Sequence, residues 1–254
     1  MRTLFCIPLA LVALLGLGAP LTGQEPADAR AILDKAIKAH GGAELLAKYN
    51  AATWKGKGTV RVMGEEIAFT GEGANQGAEQ SRVAIIATVN GEKFPIVHVY
   101  NRGKGWLKLG NAEAQEMDEE QLAEAKQEHH AEWVASFGPL LKPNKDYTLA
   151  VLPETKVGGQ AAVGVRVSRK GYRDVQLYFD KQTGLLLKMT TKAKNEESGQ
   201  IVDAETLYSE YQEVQGVKVA MKLEVRQGGK EFLELEVSAV KLHEKLDDKM
   251  FAKP

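Results

Sequence analysis

Apolar and charged side chains alternate along much of the second half of this chain. In Val217-Lys218-Val219-Ala220-Met221-Lys222-Leu223-Glu224-Val225-Arg226 the odd positions are apolar and the even ones mostly charged. Side chains two apart share one face of a strand, so this pattern predicts a sheet with one wet face and one that needs an apolar cover. Similar runs predict strands at Trp54 to Val62, Glu66 to Ala74, Arg82 to Val89, Phe94 to Tyr100 and Gly105 to Leu109. A second series covers Tyr147 to Leu152, Ala161 to Ser168, Asp174 to Phe179, Leu186 to Lys192, Ile201 to Tyr211, Val217 to Arg226 and Glu231 to Val240. Turn residues separate them, and Asn90-Gly91 is the sharpest hairpin signal because type I′ turns favour that pair. Connections this short cannot make parallel crossovers, so the sheet is expected to be antiparallel.

Helical spacing appears in two places. Ile32, Leu33, Ala36 and Ile37 predict a helix over Ala29 to Ala39, capped by Asp28 and stopped by Gly41-Gly42, with a short helical piece at Ala43 to Tyr49. The second helix starts at Asp118, where Gln121 completes a capping box and Glu119 and Glu120 suit the positive end of the helix dipole. Leu122, Ala125, His129, Trp133 and Phe137 fall along one stripe, and Gly138-Pro139 ends the run. A long sheet with one apolar face curls, and helices can roof it. The expected fold is therefore mainly β: a half-open antiparallel barrel of about 11–12 strands with helices over the concave face. A two-sheet sandwich is the competitor, but it leaves the stripe on the middle helix without a partner.

Composition narrows the setting. Arg2 followed by the apolar run Leu4 to Leu17 and small residues up to Gly23 reads as a signal peptide over residues 1–23, leaving 24–254 as one domain. The single cysteine, Cys6, lies inside that leader, so the mature chain has no thiol for disulfides, metal binding or nucleophilic attack. Lys plus Arg number 33 against 34 Asp plus Glu, a balance that offers nucleic acid no electrostatic footing. A soluble periplasmic or secreted monomer is expected.

Little here looks catalytic. His129-His130-Ala131-Glu132 is the one cluster reminiscent of a metal site, but helical ligands want i and i+4, and adjacent histidines point about 100° apart. His129 reads instead as a lid residue on the apolar stripe. His40, His98 and His243 are scattered, and Ser81, Ser136 and Ser168 lie in no Gly-x-Ser-x-Gly elbow. Neither an enzyme, a metal nor a cofactor is expected.

Three short blocks carry a family resemblance. They are Ile37-Lys38-Ala39-His40-Gly41-Gly42 leading through Leu45 and Leu46 to Thr53-Trp54-Lys55-Gly56-Lys57-Gly58; Tyr178-Phe179-Asp180-Lys181-Gln182-Thr183-Gly184-Leu185-Leu186; and Tyr211-Gln212-Glu213-Val214-Gln215-Gly216-Val217-Lys218-Val219, with Leu246-Asp247-Asp248-Lys249-Met250-Phe251 near the end. With them the chain resembles the outer-membrane lipoprotein-sorting (LolA-like) superfamily, which includes the LppX-type lipid-binding proteins. That resemblance implies a half-barrel with a helical lid in the periplasm. It also implies acyl chains or a lipidated partner in the cavity, and transport partners in the outer or inner membrane.

On this reading Trp54, Phe69, Ile85, Trp106, Val165, Leu177, Phe179, Leu187, Val219, Met221, Leu223 and Leu235 line the cavity, while Leu122, His129, Trp133 and Phe137 belong to the lid. The alternative is a non-catalytic structural or interaction module of the cell envelope whose concave face is filled by its own side chains.

Overall fold

The computed structural model describes residues 26–195 and 198–254; the expected leader over 1–23 lies outside them. The described chain begins with α1 (Pro26–Ala39) and α2 (Ala43–Lys48). Six strands follow: β1 (Ala51–Val62), β2 (Glu65–Gln76), β3 (Gln80–Val89), β4 (Glu92–Asn101), β5 (Lys104–Leu109) and β6 (Gln115–Glu116). After α3 (Glu119–Ala135) and a 3-10 turn at Gly138–Leu140 come β7 (Tyr147–Val157), β8 (Gln160–Arg169), β9 (Val175–Asp180) and β10 (Leu186–Lys194). The long strands β11 (Ile201–Val214), β12 (Val217–Gln227) and β13 (Lys230–His243) precede a 3-10 turn at Asp248–Phe251.

All thirteen strands form one sheet in the order β6-β5-β4-β3-β2-β1-β13-β12-β11-β10-β9-β8-β7. Every pairing is antiparallel. The sheet is a half-open barrel made of two meandering arms that meet where β1 pairs with β13. The twelve strands read from the sequence are present; the thirteenth, β6, is a two-residue edge pairing with no pattern of its own to read. Because β6 is one edge and β7 the other, the link between them must cross from edge to edge, and α3 is that link. Asp118 caps it, and the reciprocal bonds with Gln121 form the expected capping box.

The strand register sorts side chains by face. One row runs Trp54–Gly73–Val83–His98–Leu107 across β1 to β5, and the next runs Ala52–Asn75–Ser81–Tyr100–Gly105. Tyr100 meets His129 of α3 with ring centroids 4.7 Å apart, so this is the face beneath the helix. Towards the other end of the same face two rows are wholly apolar or glycine, Gly56–Gly71–Ile85–Ile96–Leu109 and then Gly58–Phe69–Ala87–Phe94, followed by the pair Val60–Ile67.

The two arms are filled differently. Under β7 to β10, α1 and the end of α3 close a solid core: Leu33, Ala36 and Ile37 meet Val134 and Phe137 over Val165, Val167, Val175, Leu177, Phe179 and Met189. On the outer face of β1 to β5, the C-terminal segment presses Leu246 and Phe251 onto Ala51, Ala74, Val99 and Trp106. The middle of the concave face is not filled in this way, although the end of α3 stands over it.

Candidate functional site

A cavity of about 340 Å³ occupies that middle region, centred on the junction of β1 and β13. Trp54, Val219, Leu223, Leu235, Val237, Val240 and Leu242 form its floor. Leu46 and Tyr49 make one wall, Tyr208, Tyr211 and Leu186 another, and Trp133, Ala135, Phe137 and Gly138 at the end of α3 form the roof. Polar atoms are few, from Asn50, Asn75, Ser136 and Lys218 among others. A second hollow, about 410 Å³, lies along β1, β2, β3 and β13 beside Met250. Its lining mixes Lys55, Glu72, Arg82 and Lys241 with short side chains on the outer face of the sheet.

Glycine thins the sheet beside this cavity. Gly56, Gly58, Gly71 and Gly73 all face inward, alternating with charged or polar residues that face out. A Cβ on Gly73 would sit 2.4 Å from the Trp54 indole nitrogen, and one on Gly58 would sit 2.9 Å from the Phe69 ring. The aromatic rings therefore lie against bare backbone instead of standing up into the space above. Lys55-Gly56-Lys57-Gly58 and Gly71-Glu72-Gly73 are the sequence signal for this bare stretch of sheet, one that an eye for apolar residues passes over.

The three blocks of family resemblance converge at the base of the cavity. His40 ends α1 with its Nδ1 donating to the Ala36 carbonyl at 2.8 Å, while its Nε2 accepts from the Leu186 amide at 3.4 Å. Its own carbonyl takes the Lys218 amide at 3.1 Å. Tyr211 donates to the Leu186 carbonyl at 2.6 Å. Gly41, at φ 123°, is packed so closely on the next turn that a Cβ would meet the Gly216 oxygen at 2.7 Å. Burial lowers the His40 pKa, and burial raises those of the Tyr208 and Tyr211 phenols, so these three side chains stand neutral at this end of the cavity.

Side-chain bonds tie α3 to the β8–β10 side. Arg173 grips Glu124 with both guanidinium arms, at 2.5 and 2.7 Å, and the Lys194 amide donates to the same carboxylate at 2.8 Å. Burial works to raise the Glu124 pKa, but these donors outweigh it and hold the carboxyl below its ordinary value. Gln127 bonds both the Gly171 carbonyl and the Arg173 amide. On the opposite flank His129 is buried against Tyr100 and contacts Glu132 at 3.4 Å. Burial lowers its pKa, yet Glu132 and Glu128 turn the balance upward. No group of three His, Asp or Glu among the described residues is arranged to hold a metal ion.

His130 is the second buried face of α3, which the single predicted stripe did not include. Its ring stacks on Tyr172 at 3.9 Å and on Tyr147 at 5.8 Å. The Tyr147 hydroxyl accepts from Arg169 and approaches His130 Nε2 at 3.3 Å. Burial, with the Arg169 charge adding to it, lowers the His130 pKa from 6.5 to about 4. The folded protein therefore binds fewer protons here than the unfolded chain, and this stabilising contribution is lost as pH falls from 6.5 towards 4. The melting temperature should drop over that interval, and His130→Phe should make the drop shallower; an unchanged slope would contradict the assignment.

No family model matches the chain, and a search of curated proteins returns no relative. Solved structures do match. A protein described as an outer membrane lipoprotein-sorting protein domain from Vibrio parahaemolyticus aligns over 90% of this chain and 98% of its own, with TM-score 0.57 and 11% identity. A LolA superfamily protein from Nitrosomonas europaea aligns over 89% and 97%, with TM-score 0.55 and 16% identity. A DUF1329 family protein from Desulfovibrio piger aligns over 88% and 97%, with TM-score 0.56 and 14% identity. The chain has the LolA-superfamily fold.

Within that LolA-like frame the residues expected to line the cavity separate into groups. Trp54, Trp133, Phe137, Val219, Leu223 and Leu235 come together around it. Phe69 and Ile85 lie on the same face, in the apolar rows beyond the helix. Val165, Leu177 and Phe179 are instead sealed in the solid core under α1, where the sheet is filled. Leu122 packs beside Met117, both within 3.1 Å of where a Gly105 Cβ would stand, and His129 sits against Tyr100; neither reaches the cavity. Met221 is buried without lining it.

Two expectations need correcting. Trp106 faces the other way: it pairs with Val99 in the outer row and packs near Phe251. At β10 a bulge between Leu186 and Lys188 turns Leu186 inward in place of Leu187. The same device hides Val240 and Leu242 from a simple period-two reading. Ser238 is the extra residue opposite Lys55 and Gly56, so the inward positions change from odd (Leu235, Val237) to even (Val240, Leu242).

Proposed function

We propose that the mature protein is an exported carrier that holds an acyl chain, free or attached to a lipidated partner, in the cavity beneath the end of α3. The observation that carries this reading is the cavity of about 340 Å³ with a mainly apolar lining, continuous with apolar rows of the same concave face. That volume falls at the lower end of the ~300–1,000 Å³ usual for small-molecule pockets. Each buried methylene contributes roughly 0.8 kcal/mol, so a single chain gains useful affinity from a wall without polar partners. The apolar run Leu4 to Leu17 supports export to the periplasm, and no helix among the described residues is long and apolar enough to cross a membrane. A binding role fits the chemistry at hand, since both ring nitrogens of His40, the histidine at the cavity, are engaged by backbone.

Solvent extraction of the purified protein followed by mass spectrometry tests the proposal. Co-purifying lipid, or uptake of a fluorescent fatty acid by delipidated protein, is expected; the absence of both would refute it.

The solid core under β7 to β10 favours a second reading, a packed module with no cargo. Trp133→Ala separates the two. A packed module would lose about 3–5 kcal/mol of stability, as large-to-small core changes do. In the carrier, where Trp133 is half-buried at the cavity roof, fatty-acid affinity falls instead and stability changes little.

A further inference from the structure

Hairpin ends at one rim of the sheet carry an unusual load of exposed apolar side chains. Val62 and Met63 stand at the β1–β2 turn, 40% and 85% exposed; Val89 at the β3–β4 turn is 38% exposed. Phe94 and Leu109, near the same end of β4 and β5, are 41% and 45% exposed, and Ile201 at the start of β11 is 52% exposed. The register puts all six at one end: β1 and β3 finish there, β2, β4 and β11 begin there, and β5 finishes there. The opposite end is closed by α2 and the C-terminal 3-10 turn.

We infer that this rim is a membrane-docking edge that sets the open end of the concave face against the surface of a lipid bilayer. Three observations point to lipid. First, the apolar points are strung from β5 to β11, seven strand spacings or roughly 34 Å at about 4.8 Å each, rather than gathered into a compact patch. A protein interface usually buries ~800 Å² on each partner around an apolar centre, whereas the end of a curved gutter meets a flat bilayer along its length. Second, Phe94 and Leu109 are also the last members of the concave rows that lead through Phe69 and Ile85 towards the cavity. A chain leaving the bilayer at this edge would stay on apolar surface. Third, the basic residues at the rim stand among acidic ones: Arg61 is held by Glu66 and Glu231 at 3.0 Å each, stapling the β1–β2 turn to the start of β13, while Lys93 follows Glu92 and Lys230 precedes Glu231 in their turns. Mixed charge of this kind forms no cationic patch to select anionic lipid, so neutral headgroups suffice.

The rim's use rests on the acyl-carrier reading, but its test does not. Flotation of the full mature chain with phosphatidylcholine vesicles measures docking, and fluorescent fatty-acid uptake in the absence of vesicles measures the cavity. Wild type should float with the vesicles, with little change between low and high salt. Met63→Asp combined with Phe94→Glu and Leu109→Glu should reduce partitioning at least roughly tenfold, since these apolar side chains would supply most of the insertion. Melting should be retained, and fatty-acid uptake should be retained by Met63→Asp alone, whose position at the β1–β2 turn lies outside the concave rows. Met63→Asp alone, at a turn tip and almost fully exposed, gives a smaller loss in the same direction and is read by itself if the triple variant does not fold. Wild type that stays with the unbound fraction, or variants that float as well as wild type, would overturn the inference. Lost uptake with flotation intact would count against the carrier reading and leave the docking edge standing.

Discussion

Phe179→Ala is expected to cost about 3–5 kcal/mol, the usual penalty for deleting a fully buried aromatic side chain. Phe179 is 1% exposed on β9 and stacks on Phe137 with ring centroids 6.0 Å apart. Phe137 lies in turn 4.8 Å from the His40 ring, and it has a left-handed backbone (φ 65°) because the chain reverses there from α3 into Gly138. Relaxation into the space left behind would have to move β9, α1 or the end of α3, and Leu33 and Val134 already pack there with no exposure. Urea unfolding would measure the loss. Phe137 also roofs the cavity, so a weaker loss of fatty-acid affinity should accompany it. A cost below about 1 kcal/mol would mean that this arm is not the rigid half of the molecule.

Val237→Trp should have the opposite profile. Val237 is half-buried, lines the cavity and pairs with Gly56, which offers no side chain in the way. An indole there would project into empty space, so the usual overpacking penalty of ~1–3 kcal/mol should be near its lower end. The ring would nevertheless fill a large part of a cavity of about 340 Å³, and fatty-acid uptake should fall at least roughly tenfold. Unchanged uptake, with the melt also unchanged, would put the ligand elsewhere.

The fold was open to reading because period-two alternation and turn residues mark each strand independently of its neighbours. The capping box at Asp118 and Gln121 is equally local, and it placed the start of α3 correctly. What could not be read was which inward residues meet a helix and which meet a space. Val165 and Val219 have the same alternating context, yet one is sealed under α1 and the other lines the cavity. The difference lies in where α1 docks, and that depends on His40 reaching Leu186 across 146 residues. Bulges were the second obstacle. One extra residue moves every following side chain to the other face, so Leu187 and the β13 positions Val240 and Leu242 escape a strict alternation. Trp106 failed for a simpler reason: alternation puts it on the face of Lys104 and Lys108, and the apolar cover on that outer face comes only from the C-terminal turn.

The chain's three tryptophans allow the most direct test of the hollow concave face. Trp54 and Trp133 line the cavity, whereas Trp106 lies on the outer face against the C-terminal segment. Three variants, each retaining one tryptophan with the other two changed to phenylalanine, can be titrated with a brominated fatty acid, whose heavy atoms quench indole fluorescence on contact. The account predicts saturable quenching of Trp54 and Trp133 and an undisturbed Trp106. Quenching confined to Trp106, or none at any of the three, would contradict it.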